Sequence, residues 1–335
     1  MEELSALCRT LGYEIVGMVE QVREPDPAYQ IGEGKAKEIA AKVRELGVQK
    51  VIFGNPLTPS QAFRLSELLK VEVVDRFQII LDIFAMRAGT PEAKLQVEYA
   101  RLRYELPRVR ERVRRLLSVE QPGRMGRGEY EVNIYYDTIK RRLNLLRKKL
   151  AKLSEGREQR RKLRKRRGFK LVALAGYTNA GKSTLLNALT GAEVEVDDMM
   201  FTTLTTRTRR LLGSPDILFT DTVGFIEDLP PWMVEAFKAT LEEIYSADLV
   251  LLVLDASDPL PELCRKAKTC MDILSHYGVK ILVALNKIDL LTQEELRQRM
   301  EFLNHSSYSF VPISAKYRLG LETLIEIIKQ KLLLS

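Results

Sequence analysis

The stretch Gly176-Tyr177-Thr178-Asn179-Ala180-Gly181-Lys182-Ser183-Thr184 follows the apolar run LVALA and opens a helical pattern. The spacing Gly-x4-Gly-Lys-Ser lets successive backbone N–H groups cradle phosphates. Lys182 then neutralises the terminal oxygens, and the Ser183 hydroxyl can bind Mg²⁺. Such a loop does not separate ATP from GTP. Asn286-Lys287-Ile288-Asp289, after the apolar ILVAL, does. A carboxylate at Asp289 can accept two hydrogen bonds from the N1–H and exocyclic amine of guanine, whereas adenine would leave it desolvated and unpaired. The plain alternative is a polar helix start with Asp289 as its N-cap.

Three more segments carry groups suited to the same ligand, two of them at strand ends. In Asp221-Thr222-Val223-Gly224, Asp221 can hold Mg²⁺ through water, and the Gly224 N–H can approach a γ-phosphate with no side chain in the way. Upstream, Phe201-Thr202-Thr203-Leu204-Thr205 supplies hydroxyls in a stretch without clear period, as a switch loop would. Ser314-Ala315-Lys316 follows SFVPI, where backbone N–H groups could reach the guanine carbonyl. Each of these is weak alone, but their order matches a GTP-binding domain. NKID disfavours an ATPase or a nucleotide kinase.

The elements that must position these loops alternate regularly from Gly168 to the end: KLVALAG, TRTRRLLG, DILFTDTVG, DLVLLVLDA, VKILVALNKID and SFVPISA, with helical stretches between. The alternation predicts an α/β P-loop domain over 168–335, with a mostly parallel sheet whose ligand sits at the strand C-terminal ends. Residues 1–90 read as a smaller α/β domain. Its strands are Tyr13 to Val22 and KVIFG (expected to be buried on both faces), IGEGKAKEIAAKVRELG is a helix closed by Gly47, and PSQAFRLSELLK is a second helix before EVVD. The glycines of IGEGKAKE read as a turn into that helix, since no complete phosphate motif is present.

Between these domains, over 91–167, the period changes. Leu95, Tyr99, Leu102, Leu106, Val109, Val113 and Leu116 form one coiled-coil seam, and Ile139, Leu143, Leu146, Leu150 and Leu153 a second. An antiparallel helical hairpin with a mobile glycine-rich tip, QPGRMGRGEYE, is expected, with Pro107 interrupting or kinking its first arm.

The 335 residues suit about two domains with cores of their own. The net charge of +8 is uneven: Lys140 to Lys170 holds sixteen Lys or Arg against Glu155 and Glu158, a balance of +14 that leaves −6 elsewhere. A concentrated basic surface favours a polyanion over a merely solvated helix face. Stacking platforms for single strands are not evident, so sequence-specific RNA reading is not expected. Cys8, Cys264 and Cys270 make neither a disulfide framework nor a metal pair, and are expected to be reduced and structural. His276 and His305 have no ligand partners at zinc spacing, which argues against metal hydrolysis and Ser-His-Asp chemistry. No apolar run has the length of a membrane span, and MEELSALCRT carries acids where a signal peptide carries base; a cytoplasmic location is expected.

Taken together, GYTNAGKSTLLNALTG, FTTLTTRTRR, DTVGFIEDLP with EAFKATLEE, IGEGKAKE, NPLTPSQAFRL and VVDRFQIILDIFAMRAGTPEAKLQVEYARLRYELPR resemble the HflX family of translation-factor-like GTPases over nearly the whole chain. The resemblance implies that Ser183 and Thr203 ligate Mg²⁺, that Asn286, Lys287 and Asp289 recognise guanine, and that Asp221 and Gly224 sense the γ-phosphate; Lys182, Thr203 and Gly224 are the expected catalytic set. It also implies a monomer that hydrolyses GTP to GDP, binds the large ribosomal subunit with its ribosomal RNA, and acts in ribosome splitting, rescue or hibernation. The tip departs from the family in lacking its longer glycine-rich stretch and acidic-arginine motif. The chain ends with the GTPase region, so no role for a C-terminal extension is expected. The competing reading is an RNA-binding or ribosome-assembly module that keeps GTP mainly as a structural ligand. Phe225 stands where several GTPases place the glutamine that orients the attacking water, so slow intrinsic hydrolysis raised by a partner is expected. The bland alternative for Phe225 is core packing.

Overall fold

The computed structural model describes residues 2–119, 127–191, 207–222, 224–225, 232–233, 243–275, 278–304 and 309–333, with the side chains of all of these except 2, 112–119, 127–132, 207, 275 and 302–304. The chain divides into two compact units, Met1–Met86 with Lys94–Ala151, and Arg87–Ala93 with Lys152–Ser335.

The first unit begins with α1 (Glu2–Thr10), followed by α2 (Glu33–Glu45), β1 (Lys50–Phe53), α3 (Pro59–Leu69), β2 (Glu72–Asp75) and α4 (Arg76–Arg87). β1 and β2 pair in parallel, and Phe53, Val73, Ala40, Ala62, Leu65 and Leu69 close a small core between sheet and helices. Only Phe53 of β1 is buried, not both faces of KVIFG, because a two-stranded sheet leaves β1 with a free edge. Tyr13 to Val22 is not a strand. Val16, Met18, Val19 and Val22 are exposed, and side-chain bonds such as Gln21 Oε1 accepting from Gly32 N stand in for a ladder. The β-branched residues there find no partner strand to pair with. Gly32 is the N-cap of α2, as the structural reading of IGEGKAKE expects. α3 is started by a capping box, in which the Thr58 hydroxyl accepts from Gln61 N while Gln61 Oε1 accepts from Thr58 N at 2.9 Å.

The hairpin arms are α5 (Pro91–Val119) and α6 (Arg127–Arg166). α5 runs through Pro107 without interruption, correcting the expected break. Tyr99 and Val109 on one arm and Ile139, Leu143 and Leu146 on the other are buried, while Leu153 is exposed. Arg142 grips Glu98 with both nitrogens of its fork, at 2.7 and 3.1 Å, fixing one arm against the other. Most of the tip lies outside the described residues.

The second unit is built on β3 (Lys170–Ala175), α7 (Lys182–Thr190), β4 (Arg207–Leu211), β5 (Ser214–Asp221), β6 (Leu249–Asp255), α8 (Leu260–Ser275), β7 (Ile281–Asn286), α9 (Gln293–Asn304), β8 (Phe310–Pro312) and α10 (Leu321–Leu333). The described strands form a six-stranded sheet of order β4-β5-β3-β6-β7-β8, parallel except for β4. β6 is apolar from Leu249 to Leu254 because both of its faces are covered. Leu249, Leu251 and Val253 pack with α7 and α10, whereas Val250, Leu252 and Leu254 pack with α8. Cys270 sits in that second core, where burial pushes its thiol up to about 12; it and the other two cysteines are free thiols. His276 and His305 lie outside the described residues.

Candidate functional site

All the described motif residues of the second unit gather at the C-terminal ends of β3, β5, β7 and β8, as open parallel sheets require. Gly176 to Gly181 joins β3 to α7, whose first turn carries Lys182, Ser183 and Thr184. Gly181, at φ 89°, is the left-handed N-cap of α7, and a Cβ there would lie 2.3 Å from the Asn286 amide nitrogen. Only glycine allows that approach. Asn179 is left-handed as well, at φ 64°.

The phosphate end is assembled around Lys182. This side chain is buried, donates from Nζ to the Tyr177 carbonyl at 2.6 Å, and has its pKa lowered by burial, with the Asp221 charge pulling the other way. A Cβ on Gly224 would stand 3.0 Å from that Nζ and 2.9 Å from Thr178 Cγ2. The two loops are stitched together as in a sheet: Phe225 N donates to Gly176 O at 2.9 Å and Thr178 N to Phe225 O at 3.2 Å. Asp221 closes β5 and accepts from Ser183 Oγ and from Thr222 N, each at 2.9 Å; the Thr222 hydroxyl donates to Leu174 O at 2.6 Å. Ser183 and Asp221 thus bring two hard oxygen donors together beside the phosphate loop. Thr203, with Phe201, Thr202, Leu204 and Thr205, and also Val223, lie outside the described residues. Among the described residues no three His, Cys, Asp or Glu side chains cluster as metal ligands.

The base end hangs on Asn286, the buried last residue of β7. Its Nδ2 donates to Ala180 O at 2.9 Å and its Oδ1 accepts from Ala315 N at 2.9 Å, so one side chain ties the phosphate loop to both turns expected at guanine. Lys287 takes the left-handed conformation at φ 64° and sends Nζ to Asp255 Oδ2 at 2.6 Å. Ile288 N donates to Ile313 O, and Asp289 lies in a single 3₁₀ turn, Ile288–Leu290, half-buried with no side-chain partner among the described residues. Asp289 is not a helix N-cap. The next helix, α9, is capped instead by Thr292, whose hydroxyl accepts from Glu295 N at 3.3 Å. Ser314 is buried in a tight turn closed by paired backbone bonds with Leu319, and Lys316 is exposed.

Phe225 is buried in the core with Tyr177, so the bland expectation for its ring holds. Sequence reasoning passed over Asp255, Ser257 and Arg299. The signal was available: Asp255-Ala256-Ser257-Asp258 is a polar run at the C-terminal end of β6, where the other site loops also sit.

A phosphate loop, an Mg²⁺-competent Ser–Asp pair and an Asn-Lys-x-Asp turn on this parallel sheet define a P-loop GTPase. A family model described as 50S ribosome-binding GTPase matches residues 171–287; models described as GTP-binding GTPase N-terminal and GTP-binding GTPase Middle Region match 1–85 and 87–164. The GTPase HflX of Methanocaldococcus jannaschii is 48% identical over 100% of this chain and 83% of its own length. That of Thermococcus kodakarensis is 50% identical over 90% and 69%, and that of Escherichia coli 36% identical over 99% and 79%. A crystal structure of a GTP-binding protein from Sulfolobus solfataricus in complex with GDP is similar at a TM-score of 0.52 and 29% identity, covering 100% of this chain and 96% of that one. The chain belongs to the HflX family of GTPases and is a GTP-hydrolysing enzyme. No described helix is long and apolar enough to cross a membrane.

Proposed function

We propose that the chain couples its GTP cycle to association with the large ribosomal subunit, and so regulates ribosome state. In this reading 168–335 is the GTPase domain, 91–167 a helical arm ending in a basic connector, and 1–90 an α/β domain whose orientation follows the switches around Thr203 and Gly224. Gly176 to Thr184 cradles the phosphates, Lys182 neutralises them, and Asn286, Lys287, Asp289 and Ser314 to Lys316 select guanine. Ser183, Asp221 and Thr203 would hold Mg²⁺, which would neutralise charge on the phosphates. The buried Phe225 ring offers the attacking water no hydrogen bond, which supports slow intrinsic turnover and activation by a partner.

The observation that carries the partner is the basic surface of α6. Arg141, Arg147, Lys148, Lys149, Lys152, Arg160, Lys165 and Arg166 are exposed without an acidic partner among the described residues. The run is not wholly free: Arg142 pairs with Glu98, Arg157 with Glu92, Lys162 with Glu158, and Arg161 and Arg164 with the buried Glu243. Unpaired Lys and Arg bind RNA phosphates with an affinity that falls steeply with salt. The matched family model is itself described as ribosome-binding. GTP hydrolysis by the purified protein is expected to rise strongly on adding purified large subunits, and less at higher salt. Turnover indifferent to the subunit at either salt would remove the ribosome from the proposal and leave the GTPase intact.

A further inference from the structure

The turn after β6 makes no part of the five motifs, yet it is tied to one of them through Asp255 and Ala256. Asp255 pairs in register with Asn286, and Ala256 N donates to Asn286 O at 2.8 Å. The Asp255 carboxylate is filled on both sides: Oδ2 holds the Lys287 ammonium at 2.6 Å, and Oδ1 accepts from Ser257 N at 2.9 Å and Ser257 Oγ at 2.6 Å. Behind it, Arg299 of α9 donates to Ala256 O at 2.8 Å and to Asp258 O at 3.4 Å, and Lys266 of α8 grips the Asp258 carboxylate at 2.8 and 2.9 Å. A lysine on a flexible four-carbon stem normally samples many rotamers. Here the left-handed backbone fixes one end of the stem and the braced carboxylate fixes the other.

We propose that Asp255, braced by Ser257, is a positioning residue for Lys287: it holds the ammonium away from the phosphates so that the aliphatic stem is presented to the base side of the bound nucleotide. The inference rests on the assignment of Asn286 to Asp289 as the guanine site. It places the effect of Asp255 on nucleotide affinity, equally for GTP and GDP, because the pair lies at the base end and not among the phosphate contacts. An ordinary surface ion pair would have little effect. This one differs in that its side chains are only 14% and 25% exposed and the carboxylate is held by two further bonds.

Asp255→Asn is expected to raise Kd for GDP and for GTP alike by about tenfold, with kcat at saturation moving less than about twofold. Asp255→Glu, which keeps the charge, restores most of that loss. In a Lys287→Met background the same Asp255→Asn change adds less than about twofold, since the residue through which it acts is gone. If Asp255→Asn fails to fold, Ser257→Ala carries the test, because Ser257 is exposed and its change removes only the hydroxyl brace; a weakening of about two- to threefold is expected. Unchanged affinity in the variants of Asp255 or Ser257 that fold, or a tenfold loss that persists in the Lys287→Met background, overturns the proposal. Asp289→Asn separates it from the reading on which it rests. If that variant fails to shift preference from GTP toward xanthosine triphosphate, the base site itself is misassigned. If it does shift preference while Asp255→Asn is silent, the role of Asp255 alone falls.

Discussion

Each of the two sheets ends a strand on a buried aspartate, Asp75 on β2 and Asp221 on β5. Asp75 is saturated by its own chain. It accepts from the backbone N–H groups of Leu57, Phe77 and Gln78, from the Tyr104 hydroxyl at 2.6 Å and from Arg108 at 3.3 Å, and Arg108 in turn stacks on the Tyr104 ring. These donors come from the strand–helix turns and from α5, so the carboxylate joins the small α/β core to the hairpin arm that packs on it. Asp221 has a different neighbourhood: one oxygen takes a backbone N–H, and the other takes the Ser183 hydroxyl, a group that rotates and can serve a cation instead. The same residue type at the same topological position is a structural rivet in one sheet and a ligand-facing group in the other. What separates them is the neighbourhood that each carboxylate is given: a tyrosine hydroxyl and a guanidinium from α5 at Asp75, and the rotatable hydroxyl of the phosphate loop at Asp221.

The largest test of that contrast is Lys182→Met. Removing the ammonium should weaken GDP binding about a thousandfold, as loss of one partner from a desolvated charge contact does. The nucleotide-free thermal midpoint should nonetheless rise, because a buried charge whose hydrogen bond among the described residues goes to one carbonyl is costly to the empty fold. A fall in that midpoint would show that Lys182 stabilises the fold, and the contrast would break. Asp75→Asn should do the reverse. Denaturant unfolding of the first unit should show a loss of about 3 kcal/mol, with GDP affinity unaltered, because the substitution removes the buried charge that the half-buried Arg108 and four other donors are arranged around. Unaltered unfolding would mean that the five donors to Asp75 are better satisfied by water than the packing suggests.

The legibility of the molecule follows the same line. The second unit could be read closely because its signals are local: apolar runs of strand length, each followed by a polar loop, dictate both the sheet and the end at which the loops gather. The first unit was read less well where pairing decides structure. Tyr13 to Val22 has the β-branched residues of a strand but makes no ladder, and KVIFG is apolar enough for a central strand yet sits in a sheet of two. Neither outcome is encoded in the segment itself, since both depend on how many partners the rest of the fold supplies. In the site, the types and order of the phosphate-loop and base-turn residues were legible. The bonds that hold them were not: Asn286 bridging Ala180 and Ala315, and Asp255 holding Lys287, join residues far apart in sequence. The basic run was visible as composition, but composition could not reveal that Arg161 and Arg164 are already committed to Glu243.

The burial of Lys182 also makes nucleotide binding a protonation event. Burial lowers the pKa of its ammonium below the ordinary 10.5, so in alkaline solution the empty site releases a proton that an exposed lysine would keep. Phosphate oxygens favour the charged form and draw the proton back. Between the lowered value and 10.5, binding therefore takes up a proton, and affinity falls as pH rises; well below that window the lysine is charged in both states and the linkage vanishes. Calorimetry of GDP binding in buffers of different ionisation enthalpy should read this uptake in alkaline solution and lose it as pH is taken below the window. A signal independent of buffer at both would mean that the empty site keeps Lys182 fully charged. The loop that holds the phosphates thus also measures the proton activity around it, through the one cation it keeps out of water.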